Sequence, residues 1–501
     1  MSTAINNPND PADPHSPRRL MYVADPSSIA VGILPDSVQP NDLYQWVDML
    51  ADAGVDIFVQ DVCSQGYTVY WRSDQFQYDQ RDQHRRFLPM LDAGTQPLQL
   101  LLDRSRERGM AFIAGFRMND NHDFPVFCDF IESHPQWQLV RPPEANQGGK
   151  PLDFTFDEVR AFDFQIMAEV ADRFDVDGLE LTFRGPGYFP APHGPQRAHL
   201  MTDLMRRLRE MLDAHGKSRG KRLLLGARVI APIEQCLELG LDVPTWIAER
   251  LIDYVSPQDT MYSDFNAGYA PFGDLTRDNP CMLYPGMNPW SSYRMRQKHP
   301  MTAPMQRALA HTFYNVGADG VSLFNHFVGH LWNPPFYPHA LHDFRDLRDP
   351  NRVARAQRHY VFDPAWGGVP WFGMDRNPYG VLGAQRVILD RAADNPSGVF
   401  RFNLYEHMDH VRAATLLVRG PDLTQHDQLD VKLNDTPLSL GPFGRPDPRP
   451  REHCPDTRWF ALPPDAPAFG DNHLTITLVT SDPNASGDLI LDEVEVFVQP
   501  R

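Results

Sequence analysis

From residue 18 to about 326 the chain repeats one pattern: a short unbroken apolar run, a polar or proline-rich loop, then a longer segment whose apolar residues recur every three or four positions. A strand buried on both faces reads as an unbroken apolar run, and an amphipathic helix reads as a 3.6-residue period. Their alternation predicts a parallel sheet covered by helices. The apolar runs fall at 19–25, 55–61, 110–120, 176–183, 222–230, 252–259, 281–287 and 317–326. Eight such units are the number that closes a (β/α)8 TIM barrel. The helices between them are equally legible. In NDLYQWVDMLADAG, an Asn41/Asp42 cap precedes Leu43, Trp46, Val47 and Leu50 at helical spacing, and Gly54 stands where a left-handed stop belongs. Val159, Phe162, Ile166, Val170 and Phe174 form a second stripe, and Met305, Leu309, Phe313 and Val316 another. Stripes of this kind are core packing.

After Leu331 the texture changes. A proline- and aromatic-rich stretch with a last helix leads into DPAWGGVPWFGMDRNPYG, and beyond about Gly383 come short runs of alternating apolar and polar residues separated by turn residues. Such runs predict a small all-β sandwich. The expected organisation is a disordered tail at 1–17, a barrel at 18–362, a linker packing on the barrel at 363–383 and a C-terminal β-sandwich at 384–501. In the last of its strands, LDEVEVF, the acids alternate as a solvated face would, and the sandwich is expected to cover the barrel rather than to bind glycan.

Composition narrows the function. With 501 residues, 42% hydrophobic and 22% charged, the chain has an ordinary globular balance. Its 47 prolines are nearly twice the usual share of roughly 5% and predict long, shaped loops. A net charge of −18 argues against nucleic acid or an anionic membrane as partner. Five scattered cysteines with no C-x-x-C pair, and a start without an apolar h-region, fit a reduced, cytoplasmic protein unless a leader was removed. A homo-oligomer is compatible with all of this.

In a parallel barrel, chemistry is assembled at the carboxyl ends of the strands. The polar residues expected there are Asp25, Asp61, Arg117, Asn119, Asp120, Glu180, Thr182, Arg184, Arg228, Glu234, Asp259, Tyr262, Asn288, Trp290, Asn325 and His326. Strand side chains alternate, so if Leu179, Leu181 and Phe183 face the helices, Glu180, Thr182 and Arg184 line the interior. A carboxyl group buried there has its pKa raised, as a general acid requires. The alternative is that Glu180 pairs with Arg184 or Arg228 and only orders the interior. The same alternation points Arg117 and Asn119 inward and leaves Asp120, His122 and Asp123 on the loop above. The acid spacing does not fit an EF-hand, and His326-x-x-x-His330 has no third ligand, so neither metal nor cofactor is expected. Aromatics in the loops, among them Tyr70, Trp71, Tyr188, Phe189, Tyr262, Tyr269, Trp290 and Trp332, suggest the flat walls of a sugar cleft.

The runs RLMYVAD, GFRMNDNHD, DGLELTFRGPGYF and GADGVSLFNHF, followed by a β-sandwich, resemble the (β/α)8 glycoside-hydrolase-like proteins of polysaccharide-degrading bacteria. In many such barrels the fourth strand reads D-G-x-x-L-D with the second Asp catalytic; that place is Thr182 here. The resemblance implies a glycosidase with paired carboxylates acting on a carbohydrate. Glu180 and Asp259 are the expected pair, with Asp120 in reserve. Arg117, Asn119, His122, Arg184, Arg228, Asn325 and His326 are expected to bind hydroxyls or an acidic substituent, which points to a sulfated or uronate-containing glycan. Tyr262, Trp290 and Trp332 are expected to stack on sugar rings. Two other readings of the same barrel stay open: a lyase or isomerase with His326 or Tyr262 as base, and a glycan-binding barrel without turnover.

Overall fold

The computed structural model describes residues 19–63, 67–120, 128–139, 150–183, 187–258, 263–290, 301–326, 341, 344–362, 386–420, 422–440 and 457–501. The tail expected at 1–17 and the linker expected at 363–383 lie outside the described residues.

The barrel strands are β1 (Leu20–Ala24), β2 (Ile57–Cys63), β3 (Ala111–Arg117), β4 (Gly178–Thr182), β5 (Leu224–Val229), β6 (Tyr254–Pro257), β7 (Met282–Leu283), β8 (Gly286–Met287) and β9 (Val321–Phe324). They pair in parallel in the order β7-β6-β5-β4-β3-β2-β1-β9-β8. The two ends of that order, β7 and β8, are successive pieces of one run interrupted at Tyr284 and Pro285. On one side the Tyr284 amide bonds the Val255 carbonyl, and on the other the Ser322 amide bonds the Pro285 carbonyl. The sheet therefore returns on itself, and the eight predicted runs supply its eight strand positions. Proline has no amide to donate, which is why the seventh position is broken there.

The inside and outside of the barrel separate as the alternation requires. Met21, Val23, Ile57, Val59, Ala111, Ile113, Tyr254, Tyr284 and Phe324 form an inner apolar cluster. Leu179, Leu181 and Phe183 belong instead to the outer core, which contains the stripes of helices Pro40–Asp52, Asp157–Arg173 and Ala303–Asn315. Two inward glycines make room for long neighbours. A Cβ on Gly226 would lie 2.0 Å from the Tyr254 ring, and one on Gly115 would lie 2.4 Å from Asp61 Oδ1. Each glycine lets a polar side chain from a neighbouring strand cross the interior.

The C-terminal strands are β10 (Arg358–Phe362), β11 (Val387–Asp390), β12 (Ser397–Leu404), β13 (Val411–Arg419), β14 (Gln428–Leu433), β15 (Thr436–Pro437), β16 (Thr457–Ala461), β17 (Gly470–Thr480), β18 (Asp488–Leu491) and β19 (Glu493–Pro500). They form sheets β10-β19-β13-β16 and β12-β17-β14-β15, with β11 and β18 paired separately. Arg358–Phe362, assigned to the barrel from sequence, pairs antiparallel with β19, so the β domain takes its first strand from before residue 362. The acids of β19 do not face solvent. Glu493 and Glu495 are buried and paired with Arg419 at 3.0 and 2.9 Å, and His359 also contacts Glu495. Their cations come from neighbouring strands, which a pattern along one strand does not reveal.

The two domains are hydrogen-bonded to each other. Asn315 Nδ2 donates to the Tyr405 carbonyl at 2.8 Å, and Asn266 Nδ2 donates to the Arg401 carbonyl at 3.1 Å. Between them lies a buried cluster in which the Tyr360 hydroxyl and Arg358 both donate to Glu406, with His311 3.3 Å from Tyr360. Burial pushes the His311 imidazole down to about 4, the nearby Glu406 carboxylate opposing it.

Candidate functional site

Two polar layers stack above the apolar floor of the barrel. The lower layer is centred on Glu180 and Arg228, both fully buried on adjacent strands β4 and β5. Arg228 Nε donates to Glu180 Oε1 at 2.9 Å and Nη2 to Oε2 at 3.3 Å. Its remaining reach goes to Gln258 Oε1 at 2.5 Å and Ser322 Oγ at 2.8 Å. The Tyr254 hydroxyl donates to Glu180 Oε2 at 3.0 Å, and Gln258 passes a hydrogen bond to Asn288 at 2.9 Å. Glu180 thus points inward as the alternation predicts, and its partner is Arg228. Both oxygens are occupied and neither reaches solvent. A buried ion pair persists only with such extra hydrogen bonds, because desolvation otherwise exceeds the Coulombic gain.

The upper layer lies at the tips of β1, β2 and β3. Arg117 ends β3 with its chain pointing inward, and each arm of its guanidinium takes a different carboxylate. Nε donates to Asp61 Oδ2 at 3.0 Å, Nη2 to Asp25 Oδ2 at 2.9 Å and Nη1 to Asp120 Oδ2 at 3.0 Å. The guanidinium also lies over the Phe324 ring, 5.6 Å from its centroid. Burial works against the Arg117 cation, but Asp25, Asp120 and Asp61 outweigh it and its pKa is raised. Burial would likewise raise the Asp25 carboxyl; Arg117, the Ser27 amide, Arg81 and His84 together bring it below the usual range instead. Of the three acids Asp120 is the most open, its side chain 16% exposed against 10% for Asp25 and 0% for Asp61. Asp25 and Asp61 were visible in the sequence as strand-end acids, but nothing along the chain showed that one arginine would gather them.

The other expected residues fall in different places. Asn119, at φ 58°, has no spare hydrogen-bonding capacity: Oδ1 accepts from Tyr67 and the Leu152 amide, and Nδ2 donates to the Leu152 and Gly187 carbonyls. It ties three loops together, so a role in binding hydroxyls is not open to it. Arg228 is likewise sealed in the lower layer. Asn325, at φ 50°, accepts the Asp25 amide at 2.9 Å and so fixes the first rim acid. His326 packs edge-on against Phe344, 5.1 Å between centroids, and burial pushes it down to about 3, the Phe324 carbonyl opposing it. Trp71, Tyr188, Phe189, Tyr269 and Trp290 are buried, and Trp71 donates to Glu169 at 2.9 Å. His122, Arg184, Asp259, Tyr262 and Trp332 lie outside the described residues. Among the described residues no group of three or more His, Cys, Asp or Glu is placed to hold a metal. No described helix is long and apolar enough to cross a membrane.

Residues 21–189 match the model of a family described as glycosyl hydrolase-like 10, and that segment contains both polar layers' β1–β4 members, including Asp25, Asp61, Arg117, Asp120 and Glu180. That segment, about a third of the chain, is similar to this glycosyl hydrolase-like family. Solved structures with similar folds include the glycoside hydrolase domain of PgaB (BpsB) from Bordetella bronchiseptica, at 14% identity and a TM-score of 0.44, covering 66% of this chain and 98% of that one. An α-amylase from Geobacillus thermoleovorans, in complex with acarbose, follows at 11% identity and 0.42, covering 92% and 98%. α-L-Fucosidase isoenzyme 2 from Paenibacillus thiaminolyticus is similar at 10% identity and 0.43 over 68% of this chain, and the match spans only 49% of that enzyme. No curated protein sequence matches this chain.

Proposed function

We propose that this protein is a glycoside hydrolase whose chemistry is done at the rim layer, with Asp120 as the carboxylate presented to the sugar. The observation that carries this reading is the three-armed Arg117 cluster, in which the least buried acid is held by the same guanidinium that anchors two deeper ones. Paired with a guanidinium, Asp120 suits the role of nucleophile or of base for water. The proton donor must then come from elsewhere on the mouth, and Asp259, one residue past Gln258 after β6, is the candidate by sequence position. Glu180 keeps the floor rigid beneath them rather than meeting substrate.

The cluster also changes the expected substrate. Arg117 and Arg228, two of the arginines that pointed to a sulfated or uronate glycan, are already matched by carboxylates. In the rim layer Asp25, Asp61 and Asp120 share the Arg117 guanidinium, which is therefore not free to bind an acidic substituent. A neutral sugar fits better. A second reading, a glycan-binding barrel without turnover, is favoured by Thr182 standing at the fourth strand tip. A panel of neutral, aminated, sulfated and uronate glycans separates the two: cleavage lost in Asp120→Asn supports hydrolysis, and binding without any product supports the second reading.

A further inference from the structure

The two domains touch at opposite ends of the barrel. Asn315 closes the helix that leads into β9, so its bond to the Tyr405 carbonyl lies toward the amino ends of the strands. Asn266 lies in the segment between β6 and the helix Ala270–Thr276, on the carboxyl side where the rim layer stands. There it meets β12 as a neighbouring strand would. Asn266 Oδ1 accepts the Asn403 amide at 2.8 Å and the Asn403 side-chain amide at 3.3 Å, and Nδ2 donates to the Arg401 carbonyl at 3.1 Å. β12 is the end strand of its sheet, and an end strand presents a row of amides and carbonyls to any partner that fits. Here one barrel side chain takes both kinds.

From Asn266 a run of hydrogen bonds leads into the barrel. Its own amide donates to Asp264 Oδ1 at 2.7 Å, and the Tyr269 hydroxyl donates to the Asp264 carbonyl at 3.1 Å, which folds the segment on itself. Ser263 joins that segment to the stretch after β8. Its amide donates to the Trp290 carbonyl at 2.7 Å, its Oγ donates to the Asn288 carbonyl at 2.8 Å, and the same Oγ accepts the Asn288 amide at 2.7 Å. Asn288 Oδ1 is also the group that Gln258 bonds in the lower layer. The chain from Gln258 to Ser263, which contains Asp259, is thus tied to Asn288 at both ends. Ser263, Asp264, Asn266 and Asn288 are all buried, so bulk water does not compete for these bonds.

We propose that the β domain is a working part of the site: through Asn266, β12 holds the segments after β6 and β8 in the geometry that turnover needs. The inference rests on the glycosidase reading above, in which Asp259 is the candidate proton donor. Asn266 is a positioning residue and does not meet substrate. A proton donor must come within about 2.6–3.2 Å of the leaving oxygen, and a displacement of about 1 Å in such a group costs on the order of 10²-fold in rate. Releasing Asn266 frees the segment that carries the donor without changing the donor, Arg117 or Asp120. The loss therefore falls on kcat, because binding at the rim is left as it was.

The test compares the full wild-type chain with Asn266→Ala on the barrel side and Asn403→Pro on the β side. Proline is tolerated on an end strand where its nitrogen faces away from the sheet, so the second variant removes the Asn403 amide and side chain and leaves the barrel sequence intact. Hydrogen–deuterium exchange read by mass spectrometry is expected to quicken at least ~10-fold in both variants in peptides spanning 263–269 and 286–290, and to stay as in wild type in peptides spanning β1 to β3. On a glycan that wild type cleaves, both variants are expected to lose about 10-fold or more in kcat with KM within about 2-fold. The double variant should lose no more than the worse single one, since both break the same contact. Unchanged exchange in both single variants overturns the proposal, and so does quickened exchange with a wild-type kcat, or a double variant whose losses multiply. A wild type that cleaves no glycan defeats the glycosidase reading, and the role in turnover with it, while the exchange measurement still upholds or overturns the hold of β12 on these segments.

Discussion

Replacing Arg228 with Met tests the role assigned to the lower layer. Met keeps the length of the arginine stem, so little cavity results, but Glu180 is left fully buried with only the Tyr254 hydroxyl at 3.0 Å and a long contact from Thr182 at 3.5 Å. Removing one partner of a buried ion pair typically costs 3–5 kcal/mol, against a total stability on the order of 5–15 kcal/mol. Glu180→Gln meets the converse problem, because it strands the Arg228 cation among Gln258, Ser322 and an amide. The double variant removes both charges. Residues in direct contact couple by about 0.5–3 kcal/mol, so it should be less destabilised than the sum of the single changes by that amount. The assay is urea unfolding followed by tryptophan fluorescence, to which the barrel contributes Trp46, Trp71 and Trp246. A Glu180→Gln protein with a wild-type unfolding midpoint and no glycosidase activity would refute the reasoning, since the carboxylate would then be chemical and not structural.

Three further outcomes are expected. Asp163 is buried on helix Asp157–Arg173, and burial raises its pKa well above the ordinary value of 3.8. The folded state therefore binds the proton more tightly than the unfolded one, so this contribution to stability is complete below pH 3.8 and is lost as pH rises toward the folded value. Asp163→Asn should match wild type near pH 3.5 and become increasingly the more stable of the two up to pH 8, and parallel stability curves would contradict this. Arg117→Met removes the guanidinium that buried Asp25 and Asp61 share and is expected to cost about 3 kcal/mol, measured by thermal unfolding, along with all turnover. Glu406→Ala strands Arg358 at the domain interface; limited proteolysis should release the β domain faster from this variant than from wild type, and an unchanged rate would show that the cluster does not hold the domains.

Much of the barrel could be read from the sequence because its signal is local. Each parallel strand is buried on both faces and so announces itself as an apolar run, and the Leu179, Leu181 and Phe183 alternation correctly turned Glu180 inward. What could not be read depends on which strands become neighbours. Glu180 meets Arg228 because β4 lies beside β5, and Arg117 gathers Asp25 and Asp61 because β1, β2 and β3 are adjacent and Gly115 leaves Asp61 room to cross. The acids of β19 read as a wet face for the same reason, since Arg419 and His359 reach them from β13 and β10. Arg358–Phe362 was placed in the barrel because a five-residue run does not say which sheet it joins. Loop aromatics such as Trp71 and Tyr188 misled in the opposite way, as a side chain in a loop can still be buried beneath it.

The most direct test of the account is the turnover number of Asp120→Asn beside that of wild type on a glycan the wild type cleaves. The account predicts a fall of about 10²-fold or more, with the unfolding midpoint nearly unchanged because Asp120 is the most open of the three rim acids. Turnover equal to wild type would contradict it and move the chemistry away from the Arg117 cluster.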